Sequence, residues 1–156
     1  MRRRRAEKRD TLPDPKYNSK VVTKFINIVM LKGERAIAER IVYGAFNILA
    51  EKSGEQDVMK VFQKAIDNAR PRLEVKPRRI GGATYQVPVE VRSERGVSIA
   101  LRWIKDFARG KKGKSMTEKL AEELLMAYKG EGSAIKKRDD THKMAESNKA
   151  FAHFKW

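Results

Sequence analysis

The chain has 156 residues, enough for one domain with a single hydrophobic core. Its 36 Lys and Arg outnumber 20 Asp and Glu, a formal charge of +16 that a polyanion would neutralise, either nucleic acid or an anionic membrane surface. The absence of Cys excludes disulfides and thiolate metal sites, and no apolar run approaches the roughly 20 residues of a membrane span.

Residues 1–18 are Arg-rich and then Pro- and Asp-bearing, with little periodicity. They read as a basic arm, extended until bound, with Arg2, Arg3, Arg4, Arg5, Lys8 and Arg9 suited to phosphate. No apolar stretch follows Met1 to Arg5, so no secretory signal is expected. Ser19 is positioned to cap a first helix carrying Phe25, Ile26, Val29 and Met30, with Gly33 at its end. A second helix carries Ile37, Ala38, Ile41, Val42, Ala45, Ile48 and Leu49 and stops at Ser53-Gly54. Asp57 is placed to cap a third, with Val58, Phe62, Ala65, Ile66 and Ala69 inward and Pro71 ending it.

The period then changes to two. Leu73, Val75 and Pro77 alternate with charged residues, and after Gly81-Gly82 so do Tyr85, Val87, Val89 and Val91 with Gln86, Pro88 and Glu90. This predicts a β-hairpin over 72–92. A three-residue turn, Gly81 to Ala83, sets Val75 against Val89 and Pro77 against Val87 and keeps one face apolar. A two-residue turn would set Val75 against Pro88 and Lys76 against Val87, mixing the faces, so the longer turn is expected. Pro77 and Pro88 exclude the centre of a large sheet.

Ser93 is expected to cap a fourth helix with Val97, Ala100, Leu101, Ile104, Phe107 and Ala108 inward and Arg95, Arg102, Lys105 and Arg109 opposite. Surface helices ordinarily mix charges at four-residue spacing. Here Asp106 is the exception on a cationic side. Lys111, Lys112 and Lys114 extend it into the next loop, and Arg72, Lys76, Arg78 and Arg79 add the hairpin. The planar guanidinium fork suits phosphate. A projecting basic ribbon suits an RNA groove or helix backbone. These residues, with the arm, are the expected RNA contacts.

Ser115 and Glu118 form a capping-box pattern for a fifth helix with Leu120, Ala121, Leu124, Leu125 and Tyr128 inward. A sixth, starting near Gly132-Ser133, has a thin stripe of Ile135, Met144 and Ala145 and is expected to be peripheral and weakly held. The tail, 148–156, sets aromatics on a basic background and is expected to order with RNA. The architecture is thus mainly α, about six helices, with a protruding two-stranded hairpin between helices three and four.

Catalytic and metal patterns are missing. The run 108–115 (ARGKKGKS) imitates a phosphate-binding loop, but such a loop must follow a buried strand, and here an amphipathic helix precedes it. His142 and His153 lack ligand spacing and a nucleophile partner. Trp103 reads as core and Tyr85 as packed on Val87 and Leu73. No catalytic residue, metal or cofactor is expected.

Six runs resemble a known family: 14–19 (DPKYNS), 24–27 (KFIN), 64–71 (KAIDNARP), 78–88 (RRIGGATYQVP), 134–138 (AIKKR) and 144–156 (MAESNKAFAHFKW). In order over the whole chain, they are similar to ribosomal protein seven of the bacterial small subunit. Residues 33–35 (GER) depart from the family's Gly followed by two basic residues. The resemblance implies a helical bundle with a protruding hairpin that binds the three-prime major domain of small-subunit ribosomal RNA. It implies nucleation of the subunit head, with the hairpin near the exit-site transfer RNA and the messenger path. It also implies small-subunit proteins nine and eleven as neighbours, and cytoplasmic ribosomes as the location. Some relatives repress their own messenger. An RNA-modifying or nucleotide-hydrolysing enzyme and a DNA-binding regulator are the competing classes. The first requires an acid–base pair or cofactor cleft, the second a helix-turn-helix signature that the connection 53–57 lacks.

Overall fold

The computed structural model describes residues 10–55 and 57–154. Six α-helices are present among them: α1 (Lys20–Val29), α2 (Arg35–Ser53), α3 (Val58–Ala69), α4 (Ser93–Gly110), α5 (Met116–Lys129) and α6 (Ser133–Ser147). Between α3 and α4 lies an antiparallel pair, β1 (Leu73–Ile80) and β2 (Ala83–Glu90), and a 3₁₀ helix over Lys149–Phe154 follows α6. The mainly helical fold with one hairpin is the architecture the periodicity predicts.

The core follows from the helical stripes. Phe25, Phe46 and Phe62 are fully buried on three different helices. The ring of Phe62 lies 5.4 Å from Phe25 and 4.9 Å from Phe46, so one α3 side chain joins α1 to α2. Each such burial contributes about 1.5–3 kcal/mol. α5 packs against α2, α3 and α4 through Leu120, Ala121, Leu124 and Ala127. Its start is fixed as expected: the Ser115 hydroxyl accepts from the Glu118 N–H, and the Glu118 carboxylate accepts from the Ser115 N–H. Asp57 caps α3 by accepting from the Met59 N–H at 2.9 Å.

Other ends differ. α1 closes at Met30, not Gly33. Lys32 and Gly33, both at positive φ, instead form the tight turn that leads to α2. Ser93 lies inside α4, which is capped by Arg92, and its hydroxyl accepts from Arg70. Gly96, in the first turns of α4, sits so close to the α3–β1 linker that an added Cβ would lie 2.8 Å from Arg70 Cγ.

Part of the segment read as an arm is tied to the body. Asp14 is buried; one carboxylate oxygen accepts from the Lys16 and Tyr17 N–H groups, and the other accepts the Tyr43 hydroxyl at 2.7 Å. Burial first, and then that hydrogen bond, push the Tyr43 phenol up to about 12. Arg2, Arg3, Arg4, Arg5, Lys8 and Arg9 lie outside the described residues, as does Trp156.

The hairpin register is a correction. Gly81 and Gly82 make a two-residue turn, Val75 pairs with Pro88, and Lys76 pairs with Val87. Three physical reasons favour it. Both glycines have positive φ, 55° and 90°, which is what the tight turn matching strand twist demands. Hydrogen-bonded and non-hydrogen-bonded pairs alternate outward from the turn, so both Pro77 and Pro88 fall at non-hydrogen-bonded pairs, where a missing N–H costs nothing. The three-residue turn would have put Pro88 at a bonded pair. Finally, the apolar residues need not share a face, because both faces are used. Leu73 and Pro88 line a cleft with α6, whereas Val89 lines a groove beside α4.

α6 is also better held than its stripe suggested. Ala134, Ile135 and Ala145 are buried. Polar contacts to distant elements do the rest: Ala134 N–H donates to Glu123 at 3.1 Å, Arg138 donates to the Asn68 carbonyl, and His142 accepts from the Arg72 N–H at 2.9 Å. The 3₁₀ helix is docked as well. Phe151 and Phe154 lie 5.1 and 5.6 Å from Tyr85, so Tyr85 packs on the tail and Lys149–Phe154 lies against the ribbon.

Candidate nucleic-acid interface

α4 turns Ala100, Leu101, Ile104 and Ala108 fully into the core, which leaves Arg95, Arg102 and Arg109 exposed on the other side. The base of the hairpin lies alongside, and the two enclose a groove of about 880 Å³. Lys24, Lys76, Arg92, Arg95 and Arg102 line it, together with Glu74, Glu90 and Glu94. The groove is cationic but not purely so.

The expected contact residues divide by their partners. Among the described residues, Arg79, Arg102, Arg109 and Lys112 are exposed, with no side-chain hydrogen bond or ion pair. Arg72 is exposed at the hairpin root, and its backbone N–H is held by His142. Arg95 and Lys76 share Glu74, at 2.9 and 3.2 Å. Lys105 pairs with Asp106 and Lys114 with Glu122. Lys111 lies 2.9 Å from Glu123, whose side chain is wholly buried, so its ammonium is committed to the body of the protein. Arg78 and Arg79 are exposed near the turn, but neighbouring strand residues point to opposite faces. Arg78 shares the face of Lys76 and Glu74; Arg79 faces the other way.

Sequence reasoning missed Lys24 and Arg92. Lys24 enters the groove from α1, seventy residues from α4 in sequence, and only the run 24–27 marked its neighbourhood. It also missed the carboxylates. Burial opposes ionisation of Glu74, but hydrogen bonds from Arg95 and Lys76 outweigh it and hold the group below the usual carboxylate range.

Across the ribbon lies a second cleft, about 530 Å³, between Leu73 and Pro88 of the hairpin and His142, Ala145 and Lys149. His142 anchors it. The last ladder bond runs from Val91 N–H to the Arg72 carbonyl at 2.9 Å, and the Arg72 N–H turns to His142 Nε2. That acceptor requires a neutral imidazole. Burial, then Arg138 and Arg72, lower its pKa from the ordinary 6.5, with Asp139 acting the other way. The unfolded chain therefore takes up this proton more readily. The stabilisation is complete above pH 6.5 and declines as pH falls below it. Amide exchange at Arg72, corrected for its intrinsic rate, should accelerate as pH drops below 6.5. His142→Gln, which keeps an acceptor without a titration, should flatten that response. An unchanged profile in the variant would rule out this proton as its cause.

Among the described residues no helix is long and apolar enough to cross a membrane, and no three His, Cys, Asp or Glu gather as a metal site. Ser115, the residue of the phosphate-loop imitation, is the α5 cap, and α4 precedes it.

Residues 1–149 match the family model described as Ribosomal protein S7p/S5e. Proteins of Fervidobacterium nodosum, Thermodesulfovibrio yellowstonii and Thermotoga maritima, each named small ribosomal subunit protein uS7, are 60%, 59% and 58% identical to the chain. Those alignments cover 100%, 99% and 100% of this chain and the same shares of the relatives. With near-complete coverage at such identity, the chain belongs to the ribosomal protein S7p/S5e family.

Proposed function

We propose that this chain is a structural component of the small ribosomal subunit that binds the three-prime major domain of its ribosomal RNA and nucleates the subunit head. The observation that carries the reading is the full-length similarity to relatives named as small-subunit proteins. The family is structural and non-enzymatic, so no bond is made or broken. The exposed side of α4 and the hairpin dock on a folded RNA junction. Release of counterions from phosphate drives much of the affinity, and recognition is mostly of shape, because helical RNA hides its major-groove edges. The tip of the ribbon lies near the exit-site transfer RNA and the messenger, with small-subunit proteins nine and eleven adjacent, on cytoplasmic ribosomes.

Chemical footprinting of small-subunit ribosomal RNA with and without the chain tests this. Protections should cluster in the three-prime major domain, and protections spread evenly over the RNA would overturn the reading. In the same assay, changing Arg78 and Arg79 together to Ala should remove a subset of protections and leave the rest. Circular dichroism of that variant should match the parent. A loss of helical signal would show that the tip is structural.

A further inference from the structure

We propose that Glu74 is a specificity-determining residue of the groove: an internal counterion that pre-orients Arg95 and Lys76 while restraining their attraction for unshaped polyanions. This rests on the RNA-binding reading above.

The geometry is that of a filled anion site. Arg95 Nε lies 3.1 and 3.0 Å from the two oxygens of Glu74, and Nη2 lies 2.9 Å from one of them. Lys76 Nζ stands 3.2 Å from the other oxygen. A carboxylate in a guanidinium fork presents two oxygens much as a phosphate does. The carboxylate is recessed, with its side chain 14% exposed, whereas Arg95 and Lys76 are 57% and 48% exposed. Glu74 takes up Nε and Nη2, so Nη1 and the other ammonium protons keep their donor capacity on side chains that are about half exposed. A phosphate can therefore join the cluster without expelling Glu74.

Two consequences follow. The long side chains are held in one pose before RNA arrives, so less rotamer freedom is lost on binding. One carboxylate against two cations also leaves a single excess positive charge, which weakens the pull on any polyanion that cannot fit the groove. The other expected contacts held by carboxylates differ. Lys105 and Lys114 each pair with one partner, and Lys111 pairs with a buried one. In those pairs no carboxylate serves two of the expected contacts inside the groove.

The test uses the full chain and Glu74→Gln, titrated over a salt series with a three-prime-domain ribosomal RNA fragment and with duplex DNA of equal phosphate count. For the DNA, the slope of log K against log salt should steepen by about one unit, and affinity should rise about fivefold near 0.15 M salt. Affinity for the RNA fragment should stay level or fall. Equal gains on both nucleic acids, or no change on either, would overturn the proposal. If Glu74→Gln fails to fold, Arg95→Lys keeps the charge and removes the fork. It should weaken the RNA complex and leave the DNA slope unchanged, and equal losses on both would again overturn the idea. A parent chain with no preference for the ribosomal fragment would defeat the RNA reading and this proposal together.

Discussion

Lys111→Met should destabilise the protein by about 3–5 kcal/mol, whereas Lys112→Met, one residue on, should change stability by less than about 0.5 kcal/mol. The difference lies in what each ammonium faces. Glu123 is fully buried, and Lys111 stands 2.9 Å from its Oε2. Oε1 accepts the Ala134 N–H at 3.1 Å and so fixes the start of α6. Removing Lys111 leaves a carboxylate in the interior with one hydrogen bond and no counter-charge, which is the costly half of breaking a buried pair. Methionine nearly preserves the volume, so cavity formation contributes little. Urea denaturation followed by circular dichroism measures the effect. If the two variants have equal midpoints, Glu123 is not being neutralised by Lys111.

The second large effect concerns binding. Arg102, Arg109 and Lys112 are exposed and, among the described residues, unpaired, so changing all three to Gln disturbs no internal contact. Folding should be unaffected, with stability within about 0.5 kcal/mol of the parent. With ribosomal RNA, the slope of log K against log salt should become shallower by about three units, roughly one for each lost phosphate contact. Filter binding over a salt series reads this directly. An unchanged slope would place the RNA on another surface. The variants also separate two roles that look identical in sequence, since Lys111 acts on stability and Lys112 on salt dependence.

Local chemistry was the readable part of the sequence. The Ser115–Glu118 box and the Asp57 cap involve residues within four positions of each other and formed as expected, and the α3 stripe did so for Phe62, Ala65, Ile66 and Ala69, with Val61 rather than Val58 completing its buried face. The hairpin was readable as an element but not in its register. An argument from alternation assumes one buried face, whereas α6 covers one side of the hairpin root and the α4 groove lies on the other. The proline positions held the answer, because only one register spares both of them a ladder bond. The grip on α6 was hidden for a different reason. Glu123, Arg138 and His142 act on backbone groups 11, 70 and 70 residues away, and no periodicity encodes such contacts. The same holds for the candidate site. The cationic side of α4 was visible on a helical wheel, but the carboxylates that engage Arg95 and Lys111 lie 21 and 12 residues away on other elements, and folding brings them there.

The contact of Phe151 and Phe154 with Tyr85 has a mechanical side. Eight residues of strand make a lever arm of about 26 Å, and a rotation of about 5° at its root would carry the far end through about 2 Å. The rings touch the ribbon well above that root and act as a strut, shortening the span that swings. The compliance of the ribbon is therefore set by a segment more than sixty positions away, and a change there alters how stiffly the turn meets its surroundings without touching the turn itself.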